Sequence, residues 1–63
     1  MSNDRFLRLP EVMHQTGFSR SSIYRLVELG EFPAPRKIGA RAVAWLESTI
    51  AGWIQERAAA GVR

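Results

Sequence analysis

The sequence predicts a mainly α-helical domain with three helices and one small β-hairpin. In three segments of this 63-residue chain, apolar residues recur at the three- and four-residue spacing of an amphipathic helix. The run Phe32-Pro33-Ala34-Pro35 separates the second segment from the third, and it cannot be helical because each proline removes a backbone donor. We expect one domain over residues 5–60, with residues 1–4 as a flexible N-terminus.

The first helix is predicted to end at a glycine turn. Phe6-Leu7-Arg8-Leu9 is expected to be extended, and Pro10 suits the first helical position, which leaves Leu9 at the cap. The apolar spacing continues to about Thr16, and Gly17 then supplies the turn.

The second helix is expected over residues 20–29, with a local signal at each end. Ser19 is placed to accept a hydrogen bond from an unpaired N–H of the first turn, and Phe18 and Ile23 are spaced as a hydrophobic staple. Gly30 suits the left-handed conformation that ends many helices. The stripe expected to be buried consists of Ile23, Leu26 and Val27.

Residues 36–45 are predicted to form the β-hairpin, which we call the wing. Its strands would be Arg36-Lys37-Ile38 and Ala42-Val43-Ala44-Trp45, joined by a turn at Gly39-Ala40. Ile38, Val43 and Trp45 are expected to face the core, since Val43 and Trp45 are two residues apart, as one face of a strand requires.

The third helix is predicted to start near Glu47 or Ser48 and to run towards Gly61. One face of this helix would carry Leu46, Ile50, Trp53, Ile54 and Arg57. The aromatic residues Phe32, Trp45 and Trp53 are expected to belong to the core rather than to stack on bases.

The composition argues against several classes of function. Cysteine is absent, His14 is the only histidine, and no nucleophile is paired with a base, so we expect no metal site, no cofactor and no catalytic residue. A chain this small lacks room for an ordinary ligand pocket, which argues against an enzyme with a small-molecule substrate. No segment reaches the roughly 18–20 apolar residues of a membrane span, so no membrane association is expected.

The excess positive charge lies in the middle of the chain. The net charge is +3, and residues 19–45 hold five cationic side chains against two carboxylates. Of the nine basic residues, Lys37 is the only lysine. Arginine is the better partner for phosphate or guanine, because its planar guanidinium donates two parallel hydrogen bonds.

Two helices around a tight turn, followed by a basic wing, predict a winged helix-turn-helix that binds double-stranded DNA. Arg25 is the best candidate for reading a base, since it lies on the outer face of the second helix and can bond guanine O6 and N7 together. Nearby hydroxyls and arginines would hold phosphates, and the wing would contact the neighbouring backbone or minor groove. The candidate DNA-binding residues are Ser19, Arg20, Ser21, Ser22, Tyr24, Arg25, Arg36, Lys37 and Arg41.

Other interpretations of these residues remain open at this level. Arg25 could form a surface ion pair with Glu28 or Glu31, Tyr24 could be partly buried, and Ser19 could act only as a cap. The whole domain could also be a protein-interaction module that docks on an acidic partner, in which case an exposed aromatic or aliphatic patch is expected on the second helix and the wing. If it binds DNA, one module contacts only about 600–1,000 Å², so we expect self-association on repeated sites.

Several motifs together support a family resemblance. They are Phe6-Leu7-Arg8-Leu9, Glu11-Val12, Thr16-Gly17-Phe18-Ser19-Arg20-Ser21-Ser22-Ile23-Tyr24-Arg25-Leu26, Gly30-Glu31-Phe32-Pro33, Trp45 and Trp53. On these residues the chain resembles the AlpA family of prophage-associated transcriptional regulators, part of the MerR-like winged helix-turn-helix group that also holds phage excisionases.

The resemblance implies a small bacterial or phage protein that acts on the nucleoid in the cytoplasm. It would activate or repress promoters, often those governing an integrase, or assist excision as an architectural factor. Its protein partners would then be RNA polymerase or an integrase. The same residues of the second helix and of the wing would contact DNA.

Overall fold

The computed structural model describes residues 4–60, which form a winged helix-turn-helix. The elements in chain order are β1 (Phe6–Leu7), α1 (Leu9–Thr16), α2 (Arg20–Glu28), β2 (Arg36–Lys37), β3 (Val43–Leu46) and α3 (Glu47–Ala59). The predicted fold class is confirmed. The expectations for Met1 to Asn3 and for Gly61 lie outside the described residues.

The predicted hairpin of β2 and β3 gains a third strand. The sheet order is β1-β3-β2, and both strand pairs are antiparallel. β1 joins through the pairs Phe6–Leu46 and Leu7–Trp45. The central strand β3 therefore links the N-terminal segment to the wing, and β1 and β2 lie at opposite edges of the sheet.

The core lies between the sheet and the helices. Trp45 is buried, and its indole Nε1 donates a hydrogen bond to the carbonyl oxygen of Pro33 at 2.7 Å. Phe32 is buried as expected, and Trp53 is partly buried against the same cluster. The fully packed members of the cluster are Leu7, Val12, Ile23, Phe32, Trp45 and Ile50.

Two of the three wing residues that were predicted to face the core are exposed instead. Ile38 remains 39% exposed and Val43 remains 37% exposed, whereas Trp45 is buried as predicted. The outer half of the hairpin extends away from the core cluster, so alternation along the strand does not bring these side chains into it. The alanine between Val43 and Trp45, Ala44, is buried instead.

The boundaries of α1 and α2 lie close to where local signals predict them, and the cap of α1 is shifted by one residue. The cap of α1 is Arg8 rather than the predicted Leu9, and it makes no side-chain capping bond. At the end of α2, Gly30 is left-handed with a φ of 75°. The N–H of Gly30 donates to Val27 and the N–H of Glu31 donates to Leu26, so a Schellman motif ends the helix at this glycine as predicted.

The start of α3 is capped by a residue of the N-terminal segment. Its cap residue, Leu46, has no polar side chain, and the Asp4 carboxylate accepts from the Ser48 backbone N–H at 2.8 Å and from the Ser48 hydroxyl at 2.6 Å. These bonds lower the pKa of Asp4 below its ordinary value, because they stabilise the charged form. Asp4 falls within the segment predicted to be flexible, but its side chain is tied to the domain.

Candidate nucleic-acid interface

The start of α2 is built by bonds between near neighbours. The turn before it uses Gly17 in a left-handed conformation, with a φ of 79°. Ser19 then caps the helix as predicted, because its Oγ accepts from the N–H of Ser22 at 3.2 Å. The Ser19 hydroxyl also donates to the Ser22 hydroxyl oxygen at 3.1 Å. Both serines thus hold the helix start in place, and the Ser22 hydroxyl proton is still free to donate outwards.

The outer face of α2 carries exposed cations that have no ion-pair partner among the described residues. Arg20, Ser21 and Arg25 are exposed, and Tyr24 is 40% exposed. Within residues 4–60, no carboxylate lies within ion-pair distance of Arg25, so the alternative of a pair with Glu28 or Glu31 does not occur in this conformation. The guanidinium donors of Arg25 therefore remain available to an external acceptor.

The first turn of α2 differs from those of the other two helices. The first turns of α1 and α3 contain Glu11 and Glu47, as the positive end of a helix dipole favours. The first turn of α2 has no acidic residue and begins with Arg20 instead. A cation at this position does not stabilise the helix. It does add to the positive potential that the helix end presents to an anion.

The wing is purely cationic but its charges point in different directions. Residues 32–46 include no carboxylate, and Arg36, Lys37 and Arg41 are all exposed. Because successive side chains alternate between the two faces of a strand, Arg36 and Lys37 leave β2 on opposite sides. The hydrogen bond from the Ile38 N–H to the Ala42 carbonyl, at 2.9 Å, closes the turn that presents Arg41.

One basic residue near α2 was absent from the sequence-based candidates. Arg57, in the last turn of α3, joins residues of α2 in lining a surface groove of about 390 Å³. The other lining residues are Phe18, Ser21, Ser22, Arg25 and Leu26. The sequence places Arg57 on the face of α3 that carries Trp53, but only the packing of α3 beside α2 brings it to this groove.

The paired charges lie elsewhere, around Arg5. Its Nη2 is 2.8 Å from Oε2 of Glu11, and its Nε is 3.4 Å from Oε1 of Glu47. The hydrogen bond and charge of Glu11, with the charge of Glu47, raise the pKa of Arg5. This cluster joins the segment before β1 to the first turns of α1 and α3, so it serves the fold rather than the candidate interface.

Two further features concern membrane spans and metal sites. Within residues 4–60, no helix is long and apolar enough to cross a bilayer. In the same part of the chain, no three His, Cys, Asp or Glu side chains come together as a metal site would require. His14 is exposed near the end of α1.

Comparisons with known proteins give one family. Residues 5–58 match the model of the prophage CP4-57 regulatory protein (AlpA) family. The uncharacterized protein ORF88 of Enterobacteria phage P4 is 49% identical over 59 residues, which cover 94% of this chain and 67% of that protein. The DNA-binding transcriptional activator AlpA of Escherichia coli (strain K12) is 36% identical over 59 residues, which cover 84% of each chain. No solved structure matches this chain. The match over most of the chain, with the winged helix-turn-helix that carries it, places this protein in the AlpA family.

Proposed function

We propose that this protein is a sequence-specific DNA-binding transcriptional regulator of prophage or mobile-element type. The observation that carries the proposal is the exposed outer face of α2, where Arg20 and Arg25 have no carboxylate partner among the described residues. The similarity to an Escherichia coli protein named as a DNA-binding transcriptional activator supports the same function.

In this proposal the outer face of α2 enters the major groove. Arg25 reads guanine, because a guanidinium can donate to O6 and N7 at once. Ser21, Ser22 and Tyr24 contact sugars and phosphates, and these contacts set the register without reading sequence. Ser19 contributes mainly by capping the helix, since its hydroxyl is already bonded to Ser22.

The wing contacts the DNA next to the base pairs that α2 reads. Arg36 and Lys37 leave opposite faces of β2, so we propose that one contacts the nearer backbone while the other, with Arg41, follows the minor groove or the next phosphate. One module covers about 600–1,000 Å², which favours self-association on repeated sites. The protein would act on the bacterial nucleoid, with RNA polymerase or an integrase as its protein partner.

Selection of bound duplexes from a randomised DNA library, near physiological salt, tests this proposal. Three proteins would be compared: the unchanged chain, Arg25→Ala, and Arg8→Ala as a control. Arg8 is exposed and follows β1, at the sheet edge opposite β2, so its loss removes the same charge at a residue outside the candidate interface.

We expect a compact motif with the unchanged protein and with Arg8→Ala, and loss of a guanine from that motif with Arg25→Ala. The absence of enrichment with the unchanged protein, together with binding that disappears as salt rises, would contradict sequence-specific regulation. A protein-interaction module would then become the better hypothesis.

A further inference from the structure

The indole ring of Trp53 is held rigidly at the edge of the core. Its Nε1 donates to the carbonyl oxygen of Glu31 at 3.0 Å. Phe32 and Phe18 meet it edge-on, with ring centroids 4.7 Å and 6.0 Å from the centroid of Trp53. A ring fixed by a hydrogen bond and two aromatic contacts offers a firm surface to a neighbouring side chain.

Arg57 lies on that surface. It follows Trp53 by four residues, one helical turn, and its Cζ is 4.8 Å from the centroid of the Trp53 ring. Such a cation–π contact reduces the number of conformations open to the arginine, and stacking occupies only the face of the guanidinium. The N–H donors of a guanidinium lie in its plane, so a contact through its face leaves them open to another acceptor. No ion pair engages them within residues 4–60.

The position of Arg57 relates it directly to α2. Arg57 lines the groove of about 390 Å³ together with Ser21, Ser22 and Arg25, three residues of α2 that we propose contact DNA. It also lines the adjoining groove of about 320 Å³, which lies over Phe18 and Trp53. Helix α3 thus places a guanidinium that has no ion-pair partner within residues 4–60 beside Arg25, the candidate base-reading residue.

We propose that Arg57, oriented by Trp53, contacts the DNA backbone and donates to a phosphate at the edge of the major groove that α2 occupies. This inference rests on the proposed function and adds a third element, α3, to the interface. The contact would position α2 without reading sequence, because phosphates carry no base information.

The test measures affinity for the selected duplex as a function of salt. The proteins are the unchanged chain, Arg57→Gln, Arg57→Lys, and Arg8→Gln as a control with the same loss of charge. We expect Arg57→Gln to weaken binding roughly 10-fold or more, as loss of a charge-assisted hydrogen bond does. Its plot of log affinity against log salt should be shallower by about one, with the preference over a scrambled duplex unchanged. Arg57→Lys should keep the salt slope, because it keeps the charge.

A scan of single methylphosphonate substitutions along the duplex locates the contact. Removing one phosphate charge should weaken binding of the unchanged protein at each contacted position. With Arg57→Gln that penalty should disappear at one position and persist at the others. Thermal melts of each variant check that the fold is retained, as the exposure of Arg57 leads us to expect.

The outcomes separate this inference from the function on which it rests. If Arg57→Gln binds like the unchanged protein, or weakens binding no more than Arg8→Gln does, Arg57 serves only to stack on Trp53 and the inference is wrong while DNA binding by α2 stands. A relaxed sequence preference with Arg57→Gln would also overturn it, because Arg57 would then be reading a base. If the unchanged protein binds no duplex, the proposed function and the inference both fail.

Discussion

The cations of this protein fall into two regions that use charge differently. Around β1 and the first turns of α1 and α3, Arg5 is paired with Glu11 and Glu47, and Asp4 accepts two hydrogen bonds from Ser48. On the outer face of α2, on the wing and at the end of α3, the described structure gives the cations no carboxylate partner. These cations are Arg20, Arg25, Arg36, Lys37, Arg41 and Arg57, and Arg8 after β1 is a further cation with no carboxylate partner within residues 4–60.

The contrast indicates which charges the fold uses. Exposed ion pairs contribute little to stability individually, but those of Arg5 connect three segments that are distant in the chain. Cations on neighbouring elements that have no carboxylate partner repel one another, which opposes folding. Their presence on α2 and the wing is therefore best explained by an anionic partner outside the chain. Substitutions in the two regions should accordingly affect different measurements.

The largest effect is expected at Trp53, which contacts both the core and Arg57. Trp53→Ala should lower the free energy of unfolding by about 3 kcal/mol, near the lower end for a buried tryptophan because this one is only partly buried. A domain of this size is only about 3–5 kcal/mol stable, so the variant should keep at most about 2 kcal/mol and melt at a much lower temperature than the parent. Thermal and urea melts measure this, with Leu29→Ala, at a position 62% exposed, as the control. A cooperative melt close to that of the parent would contradict the prediction.

The next effect should appear in DNA binding alone. Arg25→Ala is expected to cost about 1–3 kcal/mol on the preferred duplex and to relax the preference at one base pair, because a bidentate contact to guanine is lost. The melting temperature should not change, since Arg25 has no partner within the described residues. Titrations against the preferred duplex and single-base variants measure the effect. Unchanged preference would mean that α2 does not read the sequence.

A smaller loss of DNA affinity, similar for all sequences, is expected from a substitution on the wing. Lys37→Ala should weaken binding to all sequences alike and make the salt slope shallower by about one, since one phosphate contact is lost. Arg8→Ala, at the opposite edge of the sheet, serves as the matched control. If both variants show the same slope, the wing makes no specific contact with the backbone.

The smallest effect should appear in the region of paired charges, and it should depend on pH. The pKa of Asp4 is lowered by its bonds to Ser48, so its contribution to stability is present above its ordinary value of 3.8 and is lost as pH falls through the folded-state pKa. Asp4→Asn should therefore lower the melting temperature by a few degrees at neutral pH, with the difference disappearing in acid. DNA affinity at neutral pH should not change. A difference in melting temperature that is the same at every pH would show that the charge of Asp4 has no role.

How well the sequence predicts a feature depends on the separation of the partners involved. The Ser19 cap bonds a residue three positions away, and the Gly30 terminator bonds within its own turn, so both are visible in the pattern. The cap of α3 comes from Asp4, which is 44 positions from Ser48, and no local pattern indicates it. Alternation wrongly assigned Ile38 and Val43 to the core, because it specifies a face of a strand but not how far along that strand the helices reach.

The sequence by itself determined the three helices, the basic wing and the exposed cations and hydroxyls of α2. Those features arise from spacing, capping and prolines, which act between residues a few positions apart. Only the tertiary structure decided that β1 completes the sheet, that Asp4 and Arg5 fasten the starts of α1 and α3, and that Arg57 stands beside Arg25 at one groove. Such neighbours depend on how the helices and strands pack, because packing brings together residues whose separation along the chain carries no periodic signal.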